Sequence, residues 1–411
     1  MEAWTRVKRY ASWMREVHVG SKMALGRDTI EKLRLNSPVG GWFPASQTLV
    51  WYITERTLPY ADLFFSEQLE RIVIYPSWQQ RRRTTDGPDE FLSSVASTFS
   101  TLLVPGGLRL LIIAPRNRAI RHKIAWGYFK DSVSSLVLRC GPSLTNFGSV
   151  VPMSDEAIIH LLSLPKLCNL HFDSPPPHHS LFQSLIFPPL TGCLFAEDAA
   201  TRWLSMFQQL EDAVRGSQGI TPLGRMKDAL KTLRINDYDG TFIDITLTTP
   251  LLMFRNLTRL NVDIYCPQEE CSFELNDTDV KTLAMALPQL KGLILGHPCQ
   301  QNTCDTTITC LLFISIYCIK LEQLEVHFNT LNISEDREEM LESPGEEMEQ
   351  LLSLPKCALK ALDVHEMPLA LAAFELEEVC DGLTNIFPSL ERVQSKGVEG
   401  SGWDEVSQTL R

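Results

Sequence analysis

The residues of this chain with the clearest capacity for chemistry are two pairs of cysteines that share one internal spacing. Cys266 and Cys271 are four residues apart, and Cys299 and Cys304 repeat that spacing further along the chain. Four thiolates from two loops would suit a tetrahedral zinc ion, although zinc sites use such pairs only where the two loops meet. A zinc- or thiol-dependent enzyme built on these four cysteines is therefore the alternative functional hypothesis.

The other cysteines predict core packing rather than catalysis. Cys310 and Cys318 lie in the apolar run 308–319, and Cys140, Cys168 and Cys193 lie in or beside strand-like apolar runs. Such positions are typical of reduced, buried thiols. The sequence also lacks a nucleophile elbow, a phosphate-binding loop, a dinucleotide-binding fingerprint and a zinc-protease motif. We therefore expect no enzyme activity and no cofactor.

Composition narrows the class of partner. The chain has 411 residues, of which 44% are hydrophobic and 21% charged, and its net charge is -12. These fractions predict a folded protein, and the negative charge argues against nucleic acid as a partner. The N-terminus lacks the apolar core of a secretory signal, and the run 308–319 is too short to cross a bilayer. We expect a cytoplasmic or nuclear protein without a membrane partner.

A leucine motif indicates the elements that position any site. In Leu290-Lys-Gly-Leu293-Ile-Leu295, leucines occupy the first, fourth and sixth places of L-x-x-L-x-L, directly after a segment with helical periodicity that ends at Pro288. On a strand, Leu293 and Leu295 point into a core while Ile294 and the flanking glycines point away. One such unit cannot bury its apolar face alone, so the motif should recur.

The motif recurs twelve times, with the last copy incomplete. The copies are Ile30-Leu33-Leu35, Leu69-Ile72-Ile74, Leu108-Leu111-Ile113, Val133-Leu136-Leu138, Leu167-Leu170-Phe172, Leu190-Cys193-Phe195, Leu230-Leu233-Ile235, Leu257-Leu260-Val262, Leu290-Leu293-Leu295, Leu321-Leu324-Val326, Leu359-Leu362-Val364 and Leu390-Val393. Between copies, Ser154 and Asn276 stand as N-caps before runs with helical spacing that end at prolines. Alternating strands and helices predict an α/β fold, a curved leucine-rich-repeat solenoid with a parallel sheet on its concave face.

The domain organisation follows from these repeats. Residues 1–25 are predicted to form an N-terminal capping or linker helix, and residues 26–411 an irregular repeat domain. Within that domain, residues 334–350 contain eight acidic residues and one arginine, which predicts an acidic insertion. Trp403, Val406 and Leu410 have helical spacing and predict a C-terminal cap over 402–411.

The predicted binding surface is the concave face of the strands, formed by the residues between the core leucines. Its charge runs from basic near the N-terminal strands to acidic near the C-terminal ones, which favours a protein or peptide of complementary charge. The alternative is that a solvated sheet face simply requires polar residues. The candidate residues are Arg34, Arg71, Tyr75, Arg139, His171, Arg234, Arg259, Asp263, Ile294, Glu325, His327 and Asp363.

With these motifs, the chain resembles the irregular leucine-rich-repeat part of fungal F-box proteins, a ribonuclease-inhibitor-like horseshoe. The resemblance rests on the repeated strand motif, on the helix exits at Leu167 and Leu290, which each follow Leu-Pro-Lys or Leu-Pro-Gln, and on a linker-like segment from Trp4 to Val19. It implies a substrate receptor of a ubiquitin ligase, whose adaptor would be recruited by an F-box. No F-box is evident before Ile30, so recruitment of the adaptor would require an F-box upstream.

Overall fold

The computed structural model describes most of the chain. The described residues are 2–20, 27–35, 42–54, 57–76, 90–102, 104–114, 126–172, 176–178, 181, 187–196, 198–214, 223–237, 249–264, 275–296, 305–326, 328–329, 351, 353–364, 375–394 and 403–410. They divide into two compact units, Met1–Leu190 and Thr191–Arg411. The domain division into residues 1–25 and 26–411 stays a prediction.

The first unit contains six parallel strands that pair in chain order. Its strands are β1 (Glu16–Val19), β2 (Thr48–Ile53), β3 (Arg71–Pro76), β4 (Leu110–Ile113), β5 (Asn146–Ser149) and β6 (Asn169–Phe172). Its helices are α1 (Glu2–Ala11), α2 (Arg27–Leu35), α3 (Glu90–Thr101), α4 (Lys130–Leu138) and α5 (Asp155–Ser163), with 3₁₀ turns at Leu58–Leu63 and Trp126–Phe129.

The second unit contains seven parallel strands, also paired in chain order. Its strands are β7 (Gly192–Ala196), β8 (Thr232–Asp237), β9 (Arg259–Ile264), β10 (Gly292–Leu295), β11 (Gln323–Val326), β12 (Ala361–Asp363) and β13 (Arg392–Gln394). Its helices are α6 (Asp198–Val214), α7 (Gly224–Ala229), α8 (Asp277–Ala286), α9 (Thr309–Tyr317), α10 (Glu375–Ile386) and α11 (Trp403–Thr409), with a 3₁₀ turn at Thr249–Met253.

The motif leucines stack from strand to strand and form the core of the second unit. Leu293 of β10 lies opposite Leu260 on one side and Leu324 on the other, and Leu324 lies opposite Leu362. Each of these side chains is at most 1% exposed. Because parallel strands in register place equivalent positions side by side, β8 to β12 each contribute a leucine to one buried column. The predicted inward direction of Leu293 is confirmed.

Aromatic side chains join the helices to the buried face of the strands. In the second unit, Phe195 of β7 stacks on Trp203 of α6 with ring centroids 5.6 Å apart. Near the C-terminus, Trp403 of α11 is fully buried and lies 6.3 Å from Phe328. The predicted helix within 402–411 is therefore confirmed, and it packs on β13, the last strand of the unit.

The two helices with the clearest start signals are also confirmed. The side chain of Asn276 accepts hydrogen bonds from the backbone at Thr278 and Asp279, and the Asp279 carboxylate accepts from the backbone N–H of Asn276, which completes a capping box on α8. Ser154 accepts from the backbone of Ala157 at the start of α5. These bonds satisfy backbone N–H groups that have no partner inside a helix.

Two of the twelve motif copies are helices, so their assignment as strands is wrong. Residues 30–35 lie in α2 and residues 133–138 lie in α4. The spacing of three residues between the first and fourth positions places both side chains on one side of a helix, so the first half of the motif fits a helix as well as a turn that leads into a strand. The sixth position does: Leu35 is 83% exposed and Leu138 46% exposed, whereas a strand would bury both.

Three strands were not predicted. Strand β2 has the sequence TLVWYI, in which every second side chain is buried, and strand β1 has the alternating sequence EVHV. Their alternation is a strand signal that lacks the leucine spacing. Strand β5, NFGS, carries no such signal. The helix predicted over 1–25 ends at Ala11 and is followed by β1.

Some predictions fall on residues that the structure does not describe. These are the acidic insertion 334–350, His327 and the four cysteines of the zinc hypothesis, Cys266, Cys271, Cys299 and Cys304. None of the helices within the described ranges has the length and apolar content needed to span a bilayer.

Candidate protein-binding surfaces

Each unit has an outer face, which we define as the strand side chains that alternate with the buried motif residues. In the second unit this face begins with two arginines, Arg234 of β8 and Arg259 of β9, both exposed. The two belong to neighbouring strands, which lie about 4.8 Å apart. Among the described residues, neither guanidinium forms an ion pair within hydrogen-bonding distance. These cations are available to a carboxylate from outside the chain.

Strand β10 separates the arginines from the acidic part of the face. Its outer positions are Gly292, the half-buried Ile294 and Gly296, which follows the strand. A Cβ atom at Gly292 would lie 3.4 Å from Cγ of Arg259, so the arginine stem lies across the glycine. Gly296 has φ of 99°, a backbone conformation that favours glycine. The centre of the face therefore has few projecting side chains, carries no charge and is mildly apolar.

Two carboxylates follow on the next strands. Glu325 of β11 and Asp363 of β12 are paired across the sheet and are only 9% and 6% exposed. The side-chain amide of Gln394 on β13 donates to Oδ2 of Asp363 at 3.4 Å. We call the surface from Arg234 and Arg259 through Ile294 to Glu325 and Asp363 the polarised face. The predicted change from basic to acidic holds along it, with Asp263 of β9 as an acidic residue on its basic side.

Two amide oxygens add acceptors to the basic side of this face. The Oδ1 atoms of Asn236 on β8 and Asn261 on β9 are buried and accept no hydrogen bond from any described residue. Asn236 is 3% exposed and lies opposite Asp263. Buried acceptors are normally satisfied, so these oxygens favour donor groups at this part of the sheet.

A pair of oppositely charged residues lies beside the polarised face. Lys291, directly before β10, donates from Nζ to Oε1 of Glu322 at 2.8 Å. This hydrogen bond and the Lys291 charge lower the pKa of Glu322, and the charge of Arg259 lowers it further. Both partners of the pair are more than half exposed, so solvent screens the interaction.

The outer face of the first unit is different in character. Arg71 and Tyr75 of β3 and His171 of β6 do lie on it, as predicted. Around them, however, the outer positions of three neighbouring strands are mainly apolar. These half-buried side chains are Val50 and Tyr52 of β2, Val73 and Tyr75 of β3, and Leu110 and Ile112 of β4.

Two predicted surface residues do not belong to a sheet face, and these assignments are wrong. Arg34 lies in the last turn of α2, where its Nε is 3.7 Å from the Asp62 carboxylate. Arg139 follows α4, and its guanidinium donates to the backbone oxygens of Phe99 and Leu102 at 2.8 and 2.9 Å. Arg139 therefore caps the C-terminal end of α3, where unpaired carbonyl groups attract a cation.

The described cysteines are free thiols. Burial raises the pKa of Cys140 and of Cys318 to about 12 and that of Cys357 to about 11. Burial raises the pKa of Cys193 as well. Because the thiolate is the reactive form, these thiols have low nucleophilicity near neutral pH. Among the described residues, no group of three or more His, Cys, Asp or Glu side chains is placed to hold a metal ion.

Comparison with protein-family models and with curated proteins gave no match for this chain. The assignment to F-box and leucine-rich-repeat proteins therefore stays a prediction from the motifs.

Proposed function

We propose that this chain is a non-enzymatic protein-interaction scaffold and that the polarised face of the second unit holds a protein or peptide. The observation that carries the proposal is the order of side chains across β8 to β12. Free arginines come first, an uncharged strand follows, and two nearly buried carboxylates come last. A partner with the opposite order of charges would meet attraction at both ends.

The centre of the polarised face favours close approach by the backbone of a partner. Gly296 presents no side chain, Gly292 lies beneath the stem of Arg259, and Ile294 offers a small apolar contact between them. The buried oxygens of Asn236 and Asn261 are acceptors for N–H groups, which an extended peptide segment carries along its backbone.

The competing explanation is that a sheet face in water only needs polar residues. That explanation accounts for exposed side chains such as Gln323 and Arg392. It does not account for Glu325 and Asp363, because a carboxylate loses hydration when buried and solvation alone gives no reason to place two side by side. Their position at one end of the face is what a partner of complementary charge would meet.

We further propose that the repeats are irregular leucine-rich repeats in a ribonuclease-inhibitor-like solenoid. The in-register column of Leu260, Leu293, Leu324 and Leu362 and the order of strand and helix support this. The resemblance to fungal F-box proteins extends the proposal to the substrate-recognition part of a ubiquitin ligase, in the cytoplasm or nucleus. Co-purification of the tagged chain with a cullin adaptor tests that extension, and its failure would leave the scaffold proposal in place.

The test of the polarised face is a charge reversal with a matched control. The double variant Arg234→Glu and Arg259→Glu removes the basic end without touching the core. The control, Arg202→Glu and Arg225→Glu, makes the same net change at exposed positions on α6 and α7. Quantitative mass spectrometry would compare what each protein captures from a lysate of the source organism.

We expect a defined set of proteins to be captured by the wild type and the control and to fall at least about tenfold with the face variant. Both double variants should retain the circular dichroism spectrum and melting temperature of the wild type. Identical capture by all three proteins would remove the polarised face as the binding surface.

A further inference from the structure

The outer face of the first unit carries a contiguous apolar surface, which we call the apolar face. In the register of β2, β3 and β4, Val50, Val73 and Ile112 form one row, and Tyr52 and Tyr75 form the next. The two tyrosine rings stack with centroids 5.0 Å apart. Every one of these side chains is partly accessible to solvent, whereas the alternate side chains of the same strands are at most 1% exposed.

An apolar surface of this kind is unusual for a sheet face that meets water. Strands that are apolar on both sides are typical of parallel sheets covered on both sides, and β2, β3 and β4 have such sequences: TLVWYI, RIVIYP and LLII. Most strands of the second unit alternate instead, as in RLNVDI of β9. A contiguous apolar patch on a surface marks a site of interaction.

Charged residues border the apolar face near the start of its strands. Arg71 begins the β3 row and lies between Thr48 of β2 and Leu110 of β4. It is exposed, and within the described part of the chain it makes no ion pair. The neighbouring carboxylate of Glu70 instead lies 3.7 Å from Nε of Arg109. On β1, Glu16 lies opposite Thr48 and His18 opposite Val50, and these two side chains pair with each other at 2.7 Å. The face therefore combines an aliphatic and aromatic centre with Arg71 as its cation at the start of β3.

We propose that the apolar face binds an extended peptide segment that carries an acidic residue followed at alternate positions by aliphatic residues or proline. Outward side chains along one strand recur about every 6.6 Å, and those of an extended peptide recur at the same interval. A segment lying along β3 thus places a carboxylate at Arg71 and its next two facing side chains against Val73 and Tyr75. The expected pattern is acidic-x-aliphatic-x-aliphatic for a segment that runs parallel to β3, and the reverse of that pattern for an antiparallel segment.

This surface uses none of the residues of the polarised face, so the two proposals can fail separately. The probe is a random dodecapeptide library displayed on phage and selected on the immobilised full-length chain. Three variants report on the face: Val73→Asp places a charge at its centre, Arg71→Glu reverses its cation, and Ser97→Asp adds the same charge at an exposed position of α3 as the control.

The expected result is enrichment of the acidic and aliphatic pattern on the wild type. A selected peptide, resynthesised and measured by fluorescence polarisation, should bind Val73→Asp at least about tenfold more weakly and Ser97→Asp unchanged. Arg71→Glu should weaken binding of the acidic peptide and strengthen binding of a version with lysine in place of the acidic residue. The Arg234→Glu and Arg259→Glu variant should bind the peptide as the wild type does.

Three results would overturn the proposal. Selected peptides that lack the pattern, or that bind Val73→Asp as well as the wild type, would show that the face is not a peptide site. Concentration-dependent dimerisation that Val73→Asp abolishes would assign the face to a second copy of the chain. A large drop in the melting temperature of Val73→Asp, with Arg71→Glu leaving peptide binding unaltered, would show that residues of the chain itself cover the face.

Discussion

Replacing Leu293 with alanine tests the strand register on which the polarised face depends. Leu293 is 1% exposed and is held between Leu260 and Leu324 on the adjacent strands, themselves at most 1% exposed. Truncation to alanine removes buried methyl groups and leaves a cavity that well-packed neighbours cannot fill. Leucine-to-alanine changes at such sites lower the free energy of unfolding by about 2–5 kcal/mol.

The matched control is Lys291→Ala, two residues earlier. Lys291 is exposed, and its contact with Glu322 joins two side chains that are each more than half accessible to solvent. Such pairs add little to folding stability, so this variant should unfold as the wild type does. The comparison separates the inward from the outward side of β10.

Urea unfolding followed by circular dichroism and tryptophan fluorescence would measure both variants. With a urea dependence of about 1–3 kcal/mol per molar, Leu293→Ala should lower the midpoint by roughly 1 M or more. Equal effects of the two variants, or an unaltered midpoint for Leu293→Ala, would refute the assigned register.

Four further predictions address the first unit and the thiols. Leu136→Ala should lower the melting temperature clearly and Leu138→Ala only slightly, because these side chains are 1% and 46% exposed; similarly large losses from both variants would favour the strand assignment. Arg139→Ala should cost about 1 kcal/mol in chemical unfolding by uncapping α3, and Arg139→Lys should recover only part of it. In native protein, iodoacetamide should modify Cys357 far more slowly than the half-buried Cys168, as read by peptide mass spectrometry. Burial raises the pKa of Cys357 from 9.0 to about 11, so between these pH values the folded state keeps the thiol proton that the unfolded state loses. Folding stability should therefore fall as the pH rises from 9 to 11. An unaltered urea midpoint across that range would contradict this prediction.

Much of the second unit could be predicted from its sequence because one physical rule governs every strand there. In a motif such as Leu290-Leu293-Leu295, the last two leucines are two residues apart. That spacing puts both side chains on one face of a strand but on different sides of a helix, so it distinguishes the two structures. In β8 to β12 both positions are buried leucine, isoleucine or valine. The polar residues between them then have to point outward, which is how Arg234, Arg259 and Glu325 could be assigned to one face.

The first unit was less predictable because its signals compete. Val133 and Leu136 are three residues apart and fit a helix as well as a strand, and only the exposure of Leu138 decides the matter. Strand β2 lacks the leucine spacing but has strong alternation, so its outer residues Val50 and Tyr52 were missed. The apolar face could not be anticipated without β2, since it exists only where three such strands are neighbours.

The burial of the carboxylates at the acidic end could not be predicted from the sequence either. Alternation places Glu325 and Asp363 outward, which predicts exposed carboxylates, yet they are only 9% and 6% exposed. Exposure depends on what the rest of the chain places around each strand, and no local pattern carries that information. The same holds for Arg139, whose role as a cap depends on carbonyl groups about 40 residues earlier in the chain.

Site-specific photo-crosslinking tests most directly whether a partner binds at the polarised face. A p-benzoylphenylalanine in place of Ile294 would report on the centre of that face, and the same group in place of Met285, which is 55% exposed on α8, would serve as the control. After irradiation in a lysate of the source organism, the Ile294 probe should form discrete adducts that the Arg234→Glu and Arg259→Glu changes abolish. Absence of adducts at position 294, or the same adducts from position 285, would contradict binding at the polarised face.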